Sequence, residues 1–452
     1  MKLPVAPPPF AEILHQLAGK PDGAQRFSAL TQLRLGPAPL GKYKHWDTFR
    51  HAPPLADFSG EEQWVAVKFA RQALYRELPL RDLTGRPFQY ALPAPALEML
   101  HQIDRNAGGN IQGSDQVTNP ATRDSYLFKS IVEEAITSSQ LEGASTTRKV
   151  AKAMIQEGRA PRDRGERMIF NNYQAMLYVR RYIGQPMTPD IVKELQRLLT
   201  HGTLDDADAA GRYRRADEEI VIEDEQSGTR LHTPPPSHEL EARVQAMCDF
   251  ANAKSGDEFI PPAVRAIVLH FWLAYDHPFV DGNGRTARAL FYWSMAQQGY
   301  WLCEYVSISR ILKKARGQYT RSFLYTETDD KDVTYFILFQ MRVLLRAIHD
   351  LHEFLARKAT EIREAEELVR RASALHGELN HRQLALVNHA LKNATARYTV
   401  ESHRVSHGAS YQTARTDLLK LAEQGLLTQR KSGKAFVFVP AADIRKRLES
   451  GA

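Results

Sequence analysis

The sequence predicts a mainly α-helical protein that carries a small β-hairpin and ends in a second, basic domain. Between about Glu61 and Leu355, apolar residues recur with helical period in most segments, and glycine and proline separate these segments. Strand-like patterns are few, and the clearest in this region is EEIVIEDEQSGTRLHTPPP. A chain of 452 residues exceeds what one hydrophobic core usually organises, so we expect two or three domains.

The composition is that of an ordinary folded protein, with 43% hydrophobic and 25% charged residues. No apolar run approaches the roughly 20 residues of a membrane span, and the start, MKLPVAPPPFAEIL, lacks the apolar core of a secretory signal. We therefore expect a cytoplasmic protein without a membrane partner. Cys248 and Cys303 lie far apart without metal-ligand spacing, which favours buried free thiols.

The N-terminal region, residues 1–110, precedes the main helical domain, which we expect at 111–355. Its first 60 residues contain the proline-rich stretches VAPPPF, GPAPLG and HAPPLADF and show little periodicity. This pattern predicts extended segments wrapped on a later domain.

The candidate hairpin has Ile220, Val221 and Ile222 on its first strand, a polar turn around Ser227 and Gly228, and a returning strand at residues 230–233. Two interpretations are open from these residues alone. The hairpin is either an ordinary surface feature or a sheet edge that holds an extended peptide.

The C-terminal part begins with a charged connector helix at 356–377 and continues as a small domain at 378–452. Two amphipathic helices, HRQLALVNHALK and SYQTARTDLLKLAEQGLL, are followed by a strand pair in LLTQRKSGKAFVFVP. This order resembles a winged helix-turn-helix. Residues 371–452 hold 13 Lys and Arg against 6 Asp and Glu, so the net charge of +7 lies in this segment, where a polyanion is expected to bind.

If this domain binds DNA, the helix capped by Ser410 enters a major groove and the strand pair approaches phosphates. The candidate contacts are Tyr411, Gln412, Thr413 and Arg415 on the helix and Arg430, Lys431 and Lys434 on the strand pair. The alternative is a winged helix used for protein contacts or dimerisation.

The stretch HPFVDGNGRTAR, residues 277–288, lies between two apolar segments with helical spacing and is therefore a loop between two buried helices. Gly282 and Gly284 allow a tight turn with exposed N–H groups, and we expect Arg285 to begin the second helix at its positive dipole end. Arg285 and Arg288 project from one face of its first turn. The loop is predicted to be an anion cradle.

Two further residues specify the anion. Asp281 beside the cradle would repel a phosphate unless Mg²⁺ lies between them, which indicates a nucleoside triphosphate with Mg²⁺. His277 stands at the end of the first helix, where a neutral imidazole can take a proton from an attacking hydroxyl.

The stretch HPFVDGNGRTAR resembles the Fic motif, HxFx(D/E)GNGRxxR, at every fixed position. The resemblance covers roughly residues 110–350 and implies a helical Fic core that transfers AMP from ATP to a hydroxyl side chain of a target protein. It makes His277 the general base and Asp281 the Mg²⁺ ligand. It also implies that Asn283 and the amides around Gly282 and Gly284 hold the α- and β-phosphates, that Arg285 supports the leaving pyrophosphate, and that Arg288 holds the γ-phosphate.

Fic proteins place a β-hairpin, the flap, ahead of the motif, where it aligns the main chain of the target by strand addition. The stretch containing Ile220, Val221 and Ile222 lies at that position in the sequence. The resemblance therefore favours the peptide-binding interpretation of this hairpin.

Upstream, the residues SSQLEG, from Ser138 to Gly143, close a helix expected at 124–143, with Ser138 and Glu142 on one face. The residues alone indicate a helix end with an exposed glutamate and a glycine C-cap. The stretch also resembles the inhibitory pattern (S/T)xxxE(G/N) of Fic proteins. That resemblance implies that Glu142 pairs with Arg288 and competes with the γ-phosphate.

Two other functions remain open. Glu142 can instead position a water molecule that removes AMP from a modified target, as in some Fic proteins. In another class of function, the protein is a DNA-binding regulator whose Fic core senses nucleotide. The expected partners are a target with a Ser, Thr or Tyr hydroxyl, the protein itself, DNA, and a second copy of the chain in a homodimer.

Overall fold

The computed structural model describes residues 2–53, 55, 57–108, 120–218, 220–224, 227–253, 259–376, 379–432 and 435–450. The chain divides into two compact units, of which the first ends at Leu351 and the second begins at His352. Helices dominate both units, which confirms the prediction of a mainly α protein. Within the described ranges, no helix has both the length and the apolar character needed to cross a membrane.

The N-terminal residues are more helical than the sequence analysis predicts. The helices here are α1 (Phe10–Ala18), α2 (Gly23–Gln32), α3 (Trp46–Phe49), α4 (Gly60–Gln72) and α5 (Ala94–Ile103), and a hairpin that was not predicted joins β1 (Arg76–Arg81) to β2 (Pro87–Tyr90). The expectation of extended segments over the first 60 residues is wrong for α1 and α2. Their apolar residues Ile13, Leu17 and Leu30 are buried, while the prolines lie outside the two helices.

Buried polar contacts explain why these N-terminal residues belong to the first unit. Lys68 Nζ lies 2.7 Å from Asp329 Oδ1, and both side chains are almost inaccessible to solvent. The Tyr43 hydroxyl donates to Asp332 Oδ2 at 2.5 Å. Because a buried charge is stable only when it is paired, these contacts tie the N-terminal residues to the helical core. The boundary predicted between residues 110 and 111 lies outside the described residues.

The rest of the first unit is built of helices around two almost fully buried ones, α11 and α12. The helices are α6 (Pro120–Leu141), α7 (Arg148–Glu157), α8 (Arg164–Arg181), α9 (Pro189–Thr200), α10 (Leu240–Ala251), α11 (Pro262–Asp276), α12 (Asn283–Gln297), α13 (Ile308–Lys314) and α14 (Arg316–Thr328). The large side chains of Phe271, Trp272 and Trp293 are buried on α11 and α12. The loop between these two helices is therefore anchored at both ends in the core.

The predicted flap hairpin is present but shorter than expected. Its strands, β3 (Ile222–Glu223) and β4 (Arg230–His232), pair antiparallel with Ile222 opposite His232. Ile220 and Val221 precede the first strand and are only partly buried. Without a buried face, the apolar residues there do not enforce longer pairing.

The connector helix predicted at 356–377 is part of one longer helix, α15 (Thr334–His376). The second unit continues with α16 (His381–Lys392), α17 (Val400–His407), α18 (Tyr411–Glu423), β5 (Leu427–Ser432), β6 (Ala435–Pro440) and α19 (Ile444–Ser450). The predicted strand pair is an antiparallel hairpin, and Tyr398 forms an isolated bridge with Phe438. The predicted boundary between residues 377 and 378 lies outside the described residues.

Candidate functional site

The site is built on the loop that joins α11 to α12. His277 ends α11 with a φ of +46°, and Gly282 precedes α12 with a φ of +86°. A Cβ at Gly282 would lie 2.8 Å from Thr200 Cγ2. Both the positive φ and the lack of space therefore require glycine at this position. Helix α12 begins at Asn283, earlier than the predicted start at Arg285.

Asn283 holds the shape of the loop from within. Its side-chain Oδ1 accepts from the Phe279 amide at 3.0 Å, and its Nδ2 donates to the Phe279 carbonyl at 2.7 Å. The Asn283 residue is only 2% exposed. Its side chain is therefore committed to the loop, and the expected phosphate contact falls to its backbone amide.

The first turn of α12 supplies the anion cradle. The amides of Asn283, Gly284 and Arg285 belong to the first turn of a helix, whose N–H groups have no intrahelical partner and lie at the positive end of the helix dipole. Thr286 is the first residue whose amide is bonded within the helix, at 2.9 Å to the Gly282 carbonyl. The predicted cradle thus lies at residues 283–285, with Gly282 shaping its entry.

The side chain of Arg285 bonds to its own loop and to α9. Its side chain is buried, with Nη1 donating to the Leu199 carbonyl at 2.9 Å and Nη2 donating to Asp281 Oδ2 at 3.2 Å. Its Nε is buried with no hydrogen-bond partner among the described residues. Arg285 therefore braces the loop against α9 and neutralises Asp281.

Asp281 is the candidate Mg²⁺ ligand. Its side chain is 40% exposed, and its carbonyl accepts from Gln196 Nε2 at 3.0 Å. The described residues contain no group of three or more His, Cys, Asp or Glu side chains that would hold a metal ion by themselves. One exposed carboxylate beside a phosphate cradle fits Mg²⁺, which usually takes one or two carboxylates together with phosphate oxygens and water.

His277 is poised as a neutral base. Burial lowers the pKa of His277 to about 4, although its Nδ1 faces the Ala274 carbonyl at 3.3 Å and this contact acts in the opposite direction. With the Nδ1 proton directed at that carbonyl, Nε2 carries the free lone pair. The imidazole is therefore neutral at pH 7 and able to accept a proton.

The SSQLEG stretch forms the end of α6. The helix ends at Leu141, so Glu142 and Gly143 follow it rather than close it as predicted for a helix at 124–143. The Gly143 amide donates to the Gln140 carbonyl at 3.3 Å, the Ala144 amide donates to the Ser139 carbonyl at 3.0 Å, and Gly143 has a φ of +91°. These are the bonds of a Schellman motif, which turns the chain sharply after the helix.

This turn places Glu142 against Arg288. Arg288 Nη2 donates to Glu142 Oε1 at 2.8 Å, and Arg288 Nε donates to Ser138 Oγ at 2.9 Å. Burial is the largest single influence and lowers the pKa of Arg288, but the charge and hydrogen bond of Glu142, together with Tyr319 and Glu134, leave that pKa raised. The contact expected between Glu142 and Arg288 is therefore present, with Ser138 as a second acceptor.

Glu142 also lies directly over the anion cradle. A Cβ at Gly284 would come within 2.3 Å of Glu142 Oε1 and 3.1 Å of Arg288 Nη1. Gly284 has no positive φ, so its role is to leave space rather than to turn the backbone. The carboxylate thus occupies the helix N-terminus that an anionic ligand needs.

Glu134, a buried carboxylate one turn before Ser138, holds α6 to its neighbours. Its Oε2 accepts from the Tyr292 hydroxyl at 2.9 Å and from Ser307 Oγ at 2.7 Å, and its Oε1 accepts from Ser309 Oγ. Tyr292 lies one turn after Arg288 on α12. The two helices are therefore joined at two levels one turn apart, by Glu134 with Tyr292 and by Ser138 with Arg288.

Arg214, which the sequence analysis did not single out, supports the loop from the flap side. Its Nε donates to the His277 carbonyl at 3.0 Å, its amide donates to the Pro278 carbonyl at 2.9 Å, and its Nη2 donates to the Pro235 carbonyl. These contacts are made to backbone atoms by a residue distant in sequence. No local pattern in the sequence marks them.

The candidate DNA contacts lie together in the second unit. Tyr411, Gln412 and Arg415 are exposed in the first two turns of α18, and Ser410 Oγ caps the helix by accepting from the Thr413 amide at 3.1 Å. On β5, Arg430 and Lys431 are exposed. Lys434 lies outside the described residues.

Comparison with known proteins gives consistent matches. Residues 186–295 match the Fic/DOC family. A protein named protein adenylyltransferase Fic from Nematostella vectensis is 29% identical over 259 residues, which are 53% of this chain and 56% of that protein. A protein of the same name from Drosophila willistoni is 30% identical over 129 residues, 28% of this chain and 23% of that protein. The chain thus spans about half the length, or less, of these curated relatives.

Among solved structures, a Fic family protein from Desulfovibrio desulfuricans G20 aligns with a TM-score of 0.49 and 18% identity, over 76% of this chain and 94% of that one. The part of the chain that matches the Fic/DOC family, residues 186–295, includes both HPFVDGNGRTAR and the hairpin of β3 and β4.

Proposed function

We propose that the protein transfers AMP from Mg-ATP to a Ser, Thr or Tyr hydroxyl of a target protein or of itself, and that Glu142 restrains this transfer. The observation that carries the proposal is the contact of Glu142 with Arg288 above the first turn of α12. A carboxylate of the same chain held where a nucleotide phosphate would bind competes with that phosphate for the site. The names of the curated relatives support the reaction class.

In the proposed reaction, the target hydroxyl oxygen attacks the α-phosphorus, the bond to the bridging oxygen breaks, and pyrophosphate leaves. The hydroxyl proton passes to Nε2 of His277, which is free because Nδ1 faces the Ala274 carbonyl. The amides of residues 283–285 stabilise the charge that develops on the phosphate oxygens. Asp281 would hold Mg²⁺ together with phosphate oxygens, and bound Mg²⁺ would offset charge on the leaving group.

Arg288 is the point of restraint. While Glu142 and Ser138 occupy its guanidinium, the γ-phosphate lacks its cation, and ATP is excluded or bound with its α-phosphorus misaligned. The flap supports this scheme because β3 and β4 form a two-stranded sheet whose free edges can pair with an extended target segment.

Transfer from ATP labelled at the α-phosphate tests this function, with purified protein alone and with a lysate. Glu142→Gly should raise labelling of the protein or of a target, and His277→Ala in the same background should abolish it. Glu133→Gly is the control, because Glu133 lies on α6, the helix that Glu142 follows, but pairs with Arg148. Equal labelling by wild type and Glu142→Gly would remove the inhibitory role, and undiminished labelling with His277→Ala would remove the general base.

A second direction of the reaction is favoured by the position of Glu142, whose side chain is 32% exposed and whose charge acts on His277. Such a carboxylate can hold a water molecule for hydrolysis of AMP from a modified target. Presenting an AMP-modified target distinguishes the two directions, since removal requires Glu142 and transfer is restrained by it.

We also propose that residues 378–452 form a winged helix that binds DNA. The observation in favour is the order of three helices and a hairpin, with exposed residues Tyr411, Gln412 and Arg415 on α18 and a basic excess in this segment. The full chain should bind duplex DNA with a strong salt dependence, and Lys431→Ala should reduce the salt slope by about 1. A salt-insensitive or absent interaction would favour the use of this domain for protein contacts or dimerisation.

A further inference from the structure

His232 connects the flap to the catalytic loop through both nitrogens of its ring. It lies on β4 and is 8% exposed. Its Nε2 stands 2.7 Å from the Tyr275 carbonyl oxygen, two residues before His277. Its Nδ1 stands 2.9 Å from Glu327 Oε2 on α14. The sequence analysis includes His232 in the returning strand but assigns it no role.

The chemistry of these two partners sets the number of protons. A carbonyl oxygen can only accept a hydrogen bond, and an ionised carboxylate can only accept as well. A neutral imidazole has one N–H and would present a lone pair to one of the two oxygens. Both contacts are satisfied together only when a second proton lies between Nδ1 and Glu327 Oε2, which makes the pair an imidazolium and a carboxylate.

The position of this pair gives it a mechanical consequence. It joins β4 to the end of α11 and to α14, while Arg214 holds the carbonyls of His277, Pro278 and Pro235. The backbone after β4 is therefore held to the catalytic loop by two separate side chains. A loss of either contact of His232 frees one side of the flap to shift with respect to His277.

We propose that doubly protonated His232 is a positioning residue that holds the flap against the catalytic loop, so that transfer is lost when one of its two contacts is lost. This inference rests on the proposed transfer function, in which the flap aligns the target main chain with His277. His232 touches neither nucleotide nor target in this scheme and acts through the geometry of the flap.

His232 borders a cavity. This cavity, of about 410 Å³, is also lined by residues of the turn between β1 and β2. Charged and titratable groups from the neighbouring elements surround the imidazole. Glu327 and Lys331 lie near the end of α14, and Tyr275, Asp276 and His277 lie at the end of α11. Asp82 and Arg86 lie in the turn, and Arg230 lies on β4. The charge of His232 also lowers the pKa of His277, although burial is the larger cause.

The sign of the pH dependence follows. As pH rises through the pKa of His277, about 4, the base becomes neutral and transfer increases. This acid limb of the pH profile belongs to His277.

The test measures the rate of AMP transfer against pH in the Glu142→Gly background, with and without His232→Gln. Glutamine offers one donor and one acceptor without a titratable proton, so transfer should fall by about 10- to 100-fold near neutrality, as for a misplaced reacting group. The dissociation constant for ATP should stay unchanged. His238→Gln, the same substitution at an exposed histidine outside the two strands, should leave transfer unchanged.

A second measurement does not depend on transfer. Nitrogen-15 NMR of histidine-labelled protein, with His232 assigned from the His232→Gln spectrum, should show both ring nitrogens protonated at pH 7, because both partners are acceptors. A neutral tautomer at pH 7, or transfer by His232→Gln equal to that of its parent, would overturn the proposal. If Glu142→Gly transfers no AMP at all, the proposed function fails, and the NMR result still decides the protonation of His232.

Discussion

Removal of the Glu142 carboxylate should tighten the binding of ATP more than the binding of AMP. In the structure, Glu142 Oε1 accepts from Arg288 Nη2 at 2.8 Å, and Arg288 is 2% exposed. A γ-phosphate must break this contact before it can use the guanidinium. AMP has no γ-phosphate and does not require Arg288 in the proposed scheme.

The size of the effect follows from the contact that ATP must replace. A hydrogen bond to a charged partner contributes about 1.5–3 kcal/mol. Because about 1.4 kcal/mol corresponds to a factor of ten in affinity, ATP should bind about 10- to 150-fold more tightly to Glu142→Gly. Glu142→Gln keeps the size of the side chain and loses its charge, so it should give a smaller gain.

Isothermal titration calorimetry with Mg-ATP and with AMP measures both constants, in the His277→Ala background so that no nucleotide is consumed. Glu133→Gly on α6, the helix that Glu142 follows, serves as the control, since the partner of Glu133 is Arg148. An unchanged ATP constant would refute the competition at Arg288. Equal tightening of ATP and AMP would also refute it, because that result would locate the effect of Glu142 at the amides of residues 283–285 instead of the γ-phosphate.

Two further predictions follow from buried hydrogen bonds. Asn283→Ala removes both hydrogen bonds to the Phe279 backbone, so it should lower the free energy of unfolding by about 2–4 kcal/mol. Urea denaturation measures this change. A stability equal to wild type would contradict the stabilising role of these two bonds. Glu134→Gln places an amide among the hydroxyl and amide donors from Tyr292, Ser307 and Ser309, so it should loosen the end of α6 and raise hydrogen exchange at residues 138–143, whereas Glu133→Gln should not. Unchanged exchange in Glu134→Gln would show that α6 is held without this carboxylate.

Local patterns account for much of the site that could be predicted from the sequence. The apolar periodicity on both sides of HPFVDGNGRTAR predicts two buried helices, and α11 and α12 are found there. The glycine in SSQLEG predicts the end of α6, because a left-handed residue after a helix is most easily a glycine. The contact of Glu142 with Arg288 joins residues far apart in sequence, and it was expected through the resemblance to Fic proteins rather than from spacing.

What could not be predicted depends on which atoms a side chain meets after folding. Arg285 and Arg288 are the same residue type three positions apart on one helix, and the sequence analysis assigns both to phosphates. Arg285 donates to the Leu199 carbonyl on α9, whereas Arg288 donates to Ser138 on α6 and to Glu142 just after it. The prediction of extended segments in the first 60 residues is wrong for a related reason. The prolines outside α1 and α2 obscure the short apolar pattern of these helices.

The division of roles within the motif also explains how the site can be restrained without being deformed. Asn283 and Arg285 form their hydrogen bonds within the loop or to α9, so their positions do not depend on α6. Arg288 is bonded to Ser138 of α6 and to Glu142, which follows that helix. Displacement of Glu142 therefore frees one cation and the first turn of α12 while the loop that carries His277 keeps its internal bonds. A restraint of this kind acts on nucleotide binding and alignment, and it leaves the proton acceptor ready throughout.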